Sequence, residues 1–213
     1  MKYTLCSLLI SASFLTACHT PFAVTKSNRE EYSINGKVGV DSTIIKTYLP
    51  YKIALDGEMN KVIGFTEVAL IKKSTLPESL LGNFFSDAVF NQAKKIQPNI
   101  DFALPSTNGG LRNDIALGPI KVANIFELMP FENETVVFNL KGTDVYDILK
   151  FIAASGGQPT AGLKMNIKNG LPEHIFINGK EFDVNKNYMV LTSDYIASGG
   201  DDSKGFANPI SST

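Results

Sequence analysis

Apolar side chains recur along this chain with two periods, one near 3.6 and one near 2, and the alternation between them predicts its elements. From Asp41 onward Ile44, Tyr48 and Leu55 return at helical spacing, with Pro50 expected to kink or interrupt the helix. Residues 62–70 read as a strand. Leu81, Phe85, Ala88, Val89, Ala93 and Ile96 share one face of a helix over residues 78–96, and Pro77 suits its first turn. Beyond that helix, short strands and helices alternate. Residues 101–104 form a predicted strand, closed by Pro105 and by the turn-forming Thr107, Asn108, Gly109 and Gly110. Val122, Ile125, Phe126 and Met129 mark a short helix that stops at Pro130. In residues 134–141, Val136, Phe138 and Leu140 fall on one side, which predicts a strand with one face buried. Thr143 is placed to cap a helix that carries Asp144 and Asp147 in its first turn and buries Val145, Ile148, Leu149 and Ile152. Strands are expected at 163–168, 174–177 and 188–192. Strands that look antiparallel, mixed with helices, predict an α+β fold in a single compact domain rather than a doubly wound sheet.

The N-terminus follows a different pattern. Lys2 precedes an apolar run over residues 5–15, shorter than a bilayer span and of the length of an export-signal core. The run ends in Leu15-Thr16-Ala17-Cys18, which resembles the bacterial lipobox. That resemblance implies cleavage before Cys18 and attachment of a diacylglycerol to its thiol; a plain signal peptide with a Cys near its end by chance is the alternative. The expected organisation is a lipoprotein signal peptide over 1–18, a polar tether over 19–30 and a folded domain over 31–213. Such a protein would be exported and lipid-anchored to a bacterial membrane, in the periplasm or at the cell surface. His19, standing where an acidic residue could follow Cys18, disfavours retention in an inner membrane.

Composition narrows the chemistry. At 44% hydrophobic and 19% charged residues, the 213-residue chain has the make-up of an ordinary globular protein. Twenty basic residues against 21 acidic ones leave a net charge of -1, so no basic excess is available for a phosphate backbone and nucleic acid is not expected as a partner. Cys6 falls inside the expected signal, which leaves the mature body without a thiol for a disulfide, a zinc site or nucleophilic catalysis. Hydrolysis of a phosphate monoester by two metal ions needs a cluster of His, Asp and Asn ligands. The histidines are His19, in the tether, and His174, at the start of an expected strand where a satisfied or exposed imidazole is the simpler reading. There is no Gly-x-x-x-x-Gly-Lys loop and no nucleophile elbow. No cofactor is therefore expected in this chain. The carboxylate pairs Asp144 with Asp147 and Asp201 with Asp202 fit helix capping and loop solvation as well as acid–base work.

Four motifs in order carry a resemblance: Leu81-Gly82-Asn83 opening a helix, Thr107-Asn108-Gly109-Gly110-Leu111-Arg112, Met129-Pro130-Phe131-Glu132-Asn133, and Tyr195-Ile196-Ala197-Ser198-Gly199-Gly200-Asp201. Their succession resembles the C-terminal domain of 5'-nucleotidases over most of residues 60–206. The resemblance implies that Phe131 and Tyr195 clamp a nucleobase, that Asn133 hydrogen-bonds the base edge, and that Asp201 accepts from the ribose hydroxyls. It places Arg112 near the substrate phosphate and gives Gly109 and Gly110 the tight turn that lets backbone approach a ligand. Without the flanking motifs, the two aromatics would read as core residues and Arg112 as a surface side chain on a turn.

The chain also departs from the family's pattern. Thr107 stands where Asn is frequent, and only Lys72 and Lys73 supply charge before the Leu81-Gly82-Asn83 helix. Asp202 takes the place of a second loop Gly and is expected to strain or reshape the loop. Relatives continue into a final helix, whereas the sequence stops at Thr213, as a C-terminal truncation would produce. Full-length relatives carry a metallophosphoesterase domain, for which the segment before residue 60 is too short. The leading expectation is a protein that binds nucleoside mono- or diphosphates and presents them to a separate metallophosphoesterase, which would hold the divalent metal, in nucleotide catabolism. A non-catalytic surface nucleotide-binding lipoprotein is the alternative, and a remnant whose aromatics only pack the core is a third.

Overall fold

The computed structural model describes residues 24–36 and 38–213. The expectations for the signal peptide, for Cys18 and for the tether up to residue 23 lie outside the described residues. The chain divides into two units, residues 1–47 and 48–213. In the first, the described residues before Ser42 are exposed and without helix or strand. In chain order the elements are α1 (Ser42–Met59), β1 (Val62–Thr66), α2 (Leu80–Ile96), β2 (Phe102–Leu104), β3 (Gly118–Lys121), α3 (Val122–Leu128), β4 (Thr135–Lys141) and α4 (Gly142–Ala154). There follow β5 (Leu163–Lys168), β6 (Leu171–Ile177), β7 (Lys180–Glu181), β8 (Asn187–Ser193), α5 (Asp194–Ala197) and β9 (Ser211–Ser212). The α+β class read from the sequence is the class observed.

The second unit is built on a four-stranded sheet in the order β2-β8-β4-β9, with β2 parallel to β8 and the other neighbours antiparallel. Alternate side chains on its strands enter two separate cores. Phe102, Leu104, Leu140, Tyr188 and Val190 face one side and pack with Val145, Ile148, Leu149 and Ile152 of α4. Ala103, Val137 and Leu191 face the other and pack with Phe90 of α2. Period-2 alternation with apolar residues at both parities is what a sheet covered on both faces requires. The expectation of one buried face for β4 is therefore corrected: Val137 is buried on the side assigned to solvent. A third cluster joins Leu81, Leu111, Ile115, Ile120 and Leu128. It anchors the segments that follow β2 and α3.

Several boundaries differ from expectation for physical reasons. Helix α1 runs unbroken through Pro50 and buries no side chain; the Lys46 carbonyl that loses its helical partner there belongs to an exposed residue, where water can serve it. Strand β1 stops at Thr66, and Leu70 instead forms an isolated bridge with Ile115. Helix α2 starts after Ser79, whose hydroxyl accepts from the Gly82 amide at 3.0 Å, so Pro77 lies before the cap rather than in the first turn. Its buried face holds Leu81, Gly82, Ser86 and Phe90, while Ala88 and Ile96 are exposed. Ser86 enters the core because its hydroxyl donates to the Gly82 carbonyl at 2.7 Å. Helix α4 begins at Gly142 with Lys141 in the cap position and no side-chain cap, so Thr143 lies inside the helix. The Gly142 amide donates to the Lys186 carbonyl at 2.7 Å, a tertiary bond that stands in for the missing cap. His174 lies within β6, not at its start, at φ 49° beside a register shift, and it is exposed.

Candidate functional site

Sheet pairing brings three loops to one end of the molecule's central sheet. Leu104 pairs with Thr192 and Thr135 with Ser193, so the segment after β2, the segment after β8 and the segment before β4 leave the sheet at the same end. Ligands of α/β sheets commonly bind beyond the carboxyl ends of parallel strands, where such loops meet. The Thr192 hydroxyl donates to the Leu104 carbonyl at 2.8 Å, which locks the two strand ends together.

Each loop is then held by its own bonds. After β2, the Gly110 amide donates to the Thr107 carbonyl at 3.1 Å and closes the turn containing Gly109 and Gly110. The Arg112 amide donates to the Leu128 carbonyl at 2.8 Å, which fixes this loop to the end of α3. Asn108 faces away, its side-chain amide donating to the Gly157 carbonyl at 3.0 Å. Before β4, residues 130–134 follow the end of α3, and Glu134 is tied to α5: the Asp194 amide donates to the Glu134 carbonyl at 2.9 Å. After β8, Ser193 caps α5 by accepting from the Ile196 amide at 3.3 Å, which presents Tyr195 in the helix's first turn. Gly199, at φ 92°, then turns the chain into Asp201 and Asp202, both in the left-handed region at 53° and 58°. The expected effect of Asp202 on the loop thus takes a definite form, two consecutive non-Gly residues at positive φ.

The loops enclose a cavity of about 160 Å³ lined by Ser106, Gly109, Gly110, Arg112, Met129, Phe131, Asn133, Tyr195 and Asp201. Every residue named from the sequence for substrate binding lines it. Phe131 and Tyr195 are 44% and 48% exposed, so neither ring is a core residue. The Arg112 guanidinium lies over the Phe131 ring, 5.1 Å from its centroid. Asn133 is half-buried, and among the described residues no side chain takes up its amide. A larger open groove, about 690 Å³, runs between the start of α2 and the β5–β6 hairpin, but no aromatic side chain lines it. A volume of about 160 Å³ is below the roughly 300 Å³ at which drug-sized pockets begin, so the cavity suits one flat ring with the rest of a ligand lying over open surface.

The carboxylate of Asp201 ties two of the loops together. The Tyr195 hydroxyl donates to its Oδ1 at 3.0 Å, and the Thr107 hydroxyl donates to its Oδ2. That bond to Asp201, and the charge behind it, hold the Tyr195 phenol above its ordinary value of 10.0, with Arg112 opposing weakly. Tyr195 therefore remains a neutral donor at physiological pH. Thr107, Ser106 and Met129 were not assigned to the site from sequence. Met129 and Thr107 open two of the quoted motifs and Ser106 adjoins one, but nothing local marks Thr107 as a partner of a residue 94 positions away.

No group of three or more His, Cys, Asp or Glu side chains that could hold a metal ion occurs among the described residues. The donor set of the described residues therefore does not fit a two-metal phosphoesterase centre. No helix of the described residues is long and apolar enough to cross a membrane.

Comparison with known proteins places this geometry in a family. The model of the 5'-nucleotidase C-terminal domain matches residues 62–208, and so takes in all three loops of the cavity. A 5'-nucleotidase of Vibrio vulnificus is 26% identical over 176 residues, which are 79% of this chain and 31% of that protein. Protein UshA of Escherichia coli is 34% identical over 106 residues, 47% of this chain and 19% of that protein. The crystal structure of a 5'-nucleotidase precursor from Thermus thermophilus superposes with a TM-score of 0.60 at 25% identity, covering 74% of this chain and 34% of that one. The chain thus spans between 19% and 34% of the length of these relatives. With the match extending over β2, β8 and β4 of the sheet, both cores and every loop of the cavity, the chain belongs to the 5'-nucleotidase C-terminal domain family.

Proposed function

We propose that this protein binds nucleoside mono- or diphosphates and presents them to a separate metallophosphoesterase, in nucleotide catabolism at a bacterial cell envelope. The observation that carries the reading is the convergence of two exposed aromatic rings, an amide, a guanidinium and a carboxylate on one small cavity. A nucleobase stacks on Phe131 and Tyr195, which is worth roughly 1 to 3 kcal/mol per base. The Asn133 amide, able to donate and accept, reads the base edge. Asp201 accepts from the ribose, and the exposed Arg112 fork meets the phosphate. In this reading the ions that activate water are the partner's, in keeping with the described residues holding no metal-ligand cluster. Attachment through a lipid on Cys18 follows from the lipobox-like Leu15-Thr16-Ala17-Cys18 and keeps the protein on the membrane surface.

Isothermal titration of the purified full-length protein with AMP tests the binding step. Saturable heat is expected, and its absence would overturn the nucleotide-binding reading. Adding a metallophosphoesterase from the same compartment with manganese and following phosphate release tests presentation. A rate no greater than that of the phosphoesterase alone would leave a nucleotide-binding lipoprotein with no catalytic role.

A further inference from the structure

We infer that Thr107 is a positioning residue for the sugar subsite, its buried hydroxyl fixing the Asp201 carboxylate so that both oxygens face a bound ribose with one acceptor position each. This rests on the nucleotide-binding reading above and adds to it a residue that does not itself touch the ligand.

The geometry is specific. An ionised carboxylate only accepts, and each oxygen offers about two lone-pair positions. Thr107 takes one on Oδ2 and Tyr195 takes one on Oδ1, which leaves one on each, side by side. Two adjacent hydroxyls of a cis-diol are the groups that match such a pair. The two anchors are unequal, because Tyr195 is 48% exposed and Thr107 only 3%. Thr107 is therefore the fixed point. A Cβ on Gly109 would stand 3.3 Å from both the Thr107 hydroxyl and Asp201 Oδ2, so the turn packs directly against this bond. Asp201 also needs the restraint. It and Asp202 both hold positive φ, a conformation that disfavours non-Gly residues and persists where the surroundings over-determine it. A hydroxyl bond from the opposite loop is such a determinant, and without it the carboxylate is free to turn with the loop.

The test compares AMP with 2′,3′-dideoxy-AMP by isothermal titration of the full-length protein and of the T107V, T107A and T107S variants. Loss of the hydroxyl in T107V is expected to weaken AMP about tenfold, the scale of one hydrogen bond to a charged group, while the dideoxy ligand keeps its affinity. T107A should behave in the same way, and it carries the test if thermal melting shows T107V unfolded. T107S restores the bond and should bring AMP to within about threefold of the natural protein. Equal weakening of both ligands, no weakening of either, or a T107S protein as impaired as T107A would overturn the inference. If the natural protein binds neither nucleotide, the nucleotide reading itself fails, which is a different result.

Discussion

The Tyr195 hydroxyl reaches Asp201 Oδ1 at 3.0 Å across the tip of the loop that follows α5, so a hydrogen bond joins the aromatic wall of the cavity to its carboxylate. That link makes the ring's position depend on a protonated phenol. It also makes alkaline pH a probe of the site.

The phenol's value is raised above 10.0 in the folded protein, chiefly by its bond to Asp201. A group whose folded value exceeds its unfolded one adds stability that is complete below the unfolded value and is lost as pH rises through the folded one. Denaturation midpoints measured from about pH 8 to 11 should therefore show an alkaline decline that is smaller in Y195F, which has no proton to lose. AMP affinity of the natural protein should fall over the same range. Identical pH profiles for the two proteins would mean that the hydroxyl bond is not made in solution.

Phe131 is half exposed and belongs to none of the buried clusters. F131A should weaken AMP by roughly 1 to 3 kcal/mol, the worth of one stacked base. Its melting temperature should stay close to that of the natural protein, as surface changes usually cost no more than about 0.5 kcal/mol. A large drop in melting temperature would return this ring to a packing role.

Gly200 lies under the Tyr195 ring: a Cβ there would stand 2.5 Å from its Cε1 and 2.6 Å from its Cδ1 and Cζ. G200A must displace the ring, and the ring can yield because it is exposed. The expected outcome is AMP binding weakened by about 1 kcal/mol or more, from lost stacking, with little change in the urea midpoint. Unchanged affinity would show that the ring's resting place is irrelevant to the ligand.

Leu149 is fully buried between α4 and the sheet. L149A should destabilise the protein by about 2 to 5 kcal/mol in urea denaturation, through lost apolar burial and the cavity left behind. Below the unfolding transition the AMP affinity of the folded fraction should be retained. A loss of affinity without loss of stability would couple this core to the site in a way the geometry does not suggest.

What the sequence determined by itself was local. Val145, Ile148, Leu149 and Ile152 recur at i, i+3, i+4 and i+7, and they form the buried face of α4. The strand read over 163–168 is β5 with the same bounds, and the motifs around Gly109, Phe131 and Tyr195 marked the loops that line the cavity. Periodicity and turn chemistry depend on neighbours a few residues apart, so they can be read along the chain. The tertiary structure decided the rest. Val137 is buried because a second helix covers the far face of the sheet, and Ser86 is buried because a carbonyl one turn away takes its hydroxyl. The bond between Thr107 and Asp201 exists because β2 and β8 pair in parallel register, which sets two loops 94 residues apart against each other. No local pattern encodes that register; it follows from how the whole sheet is packed.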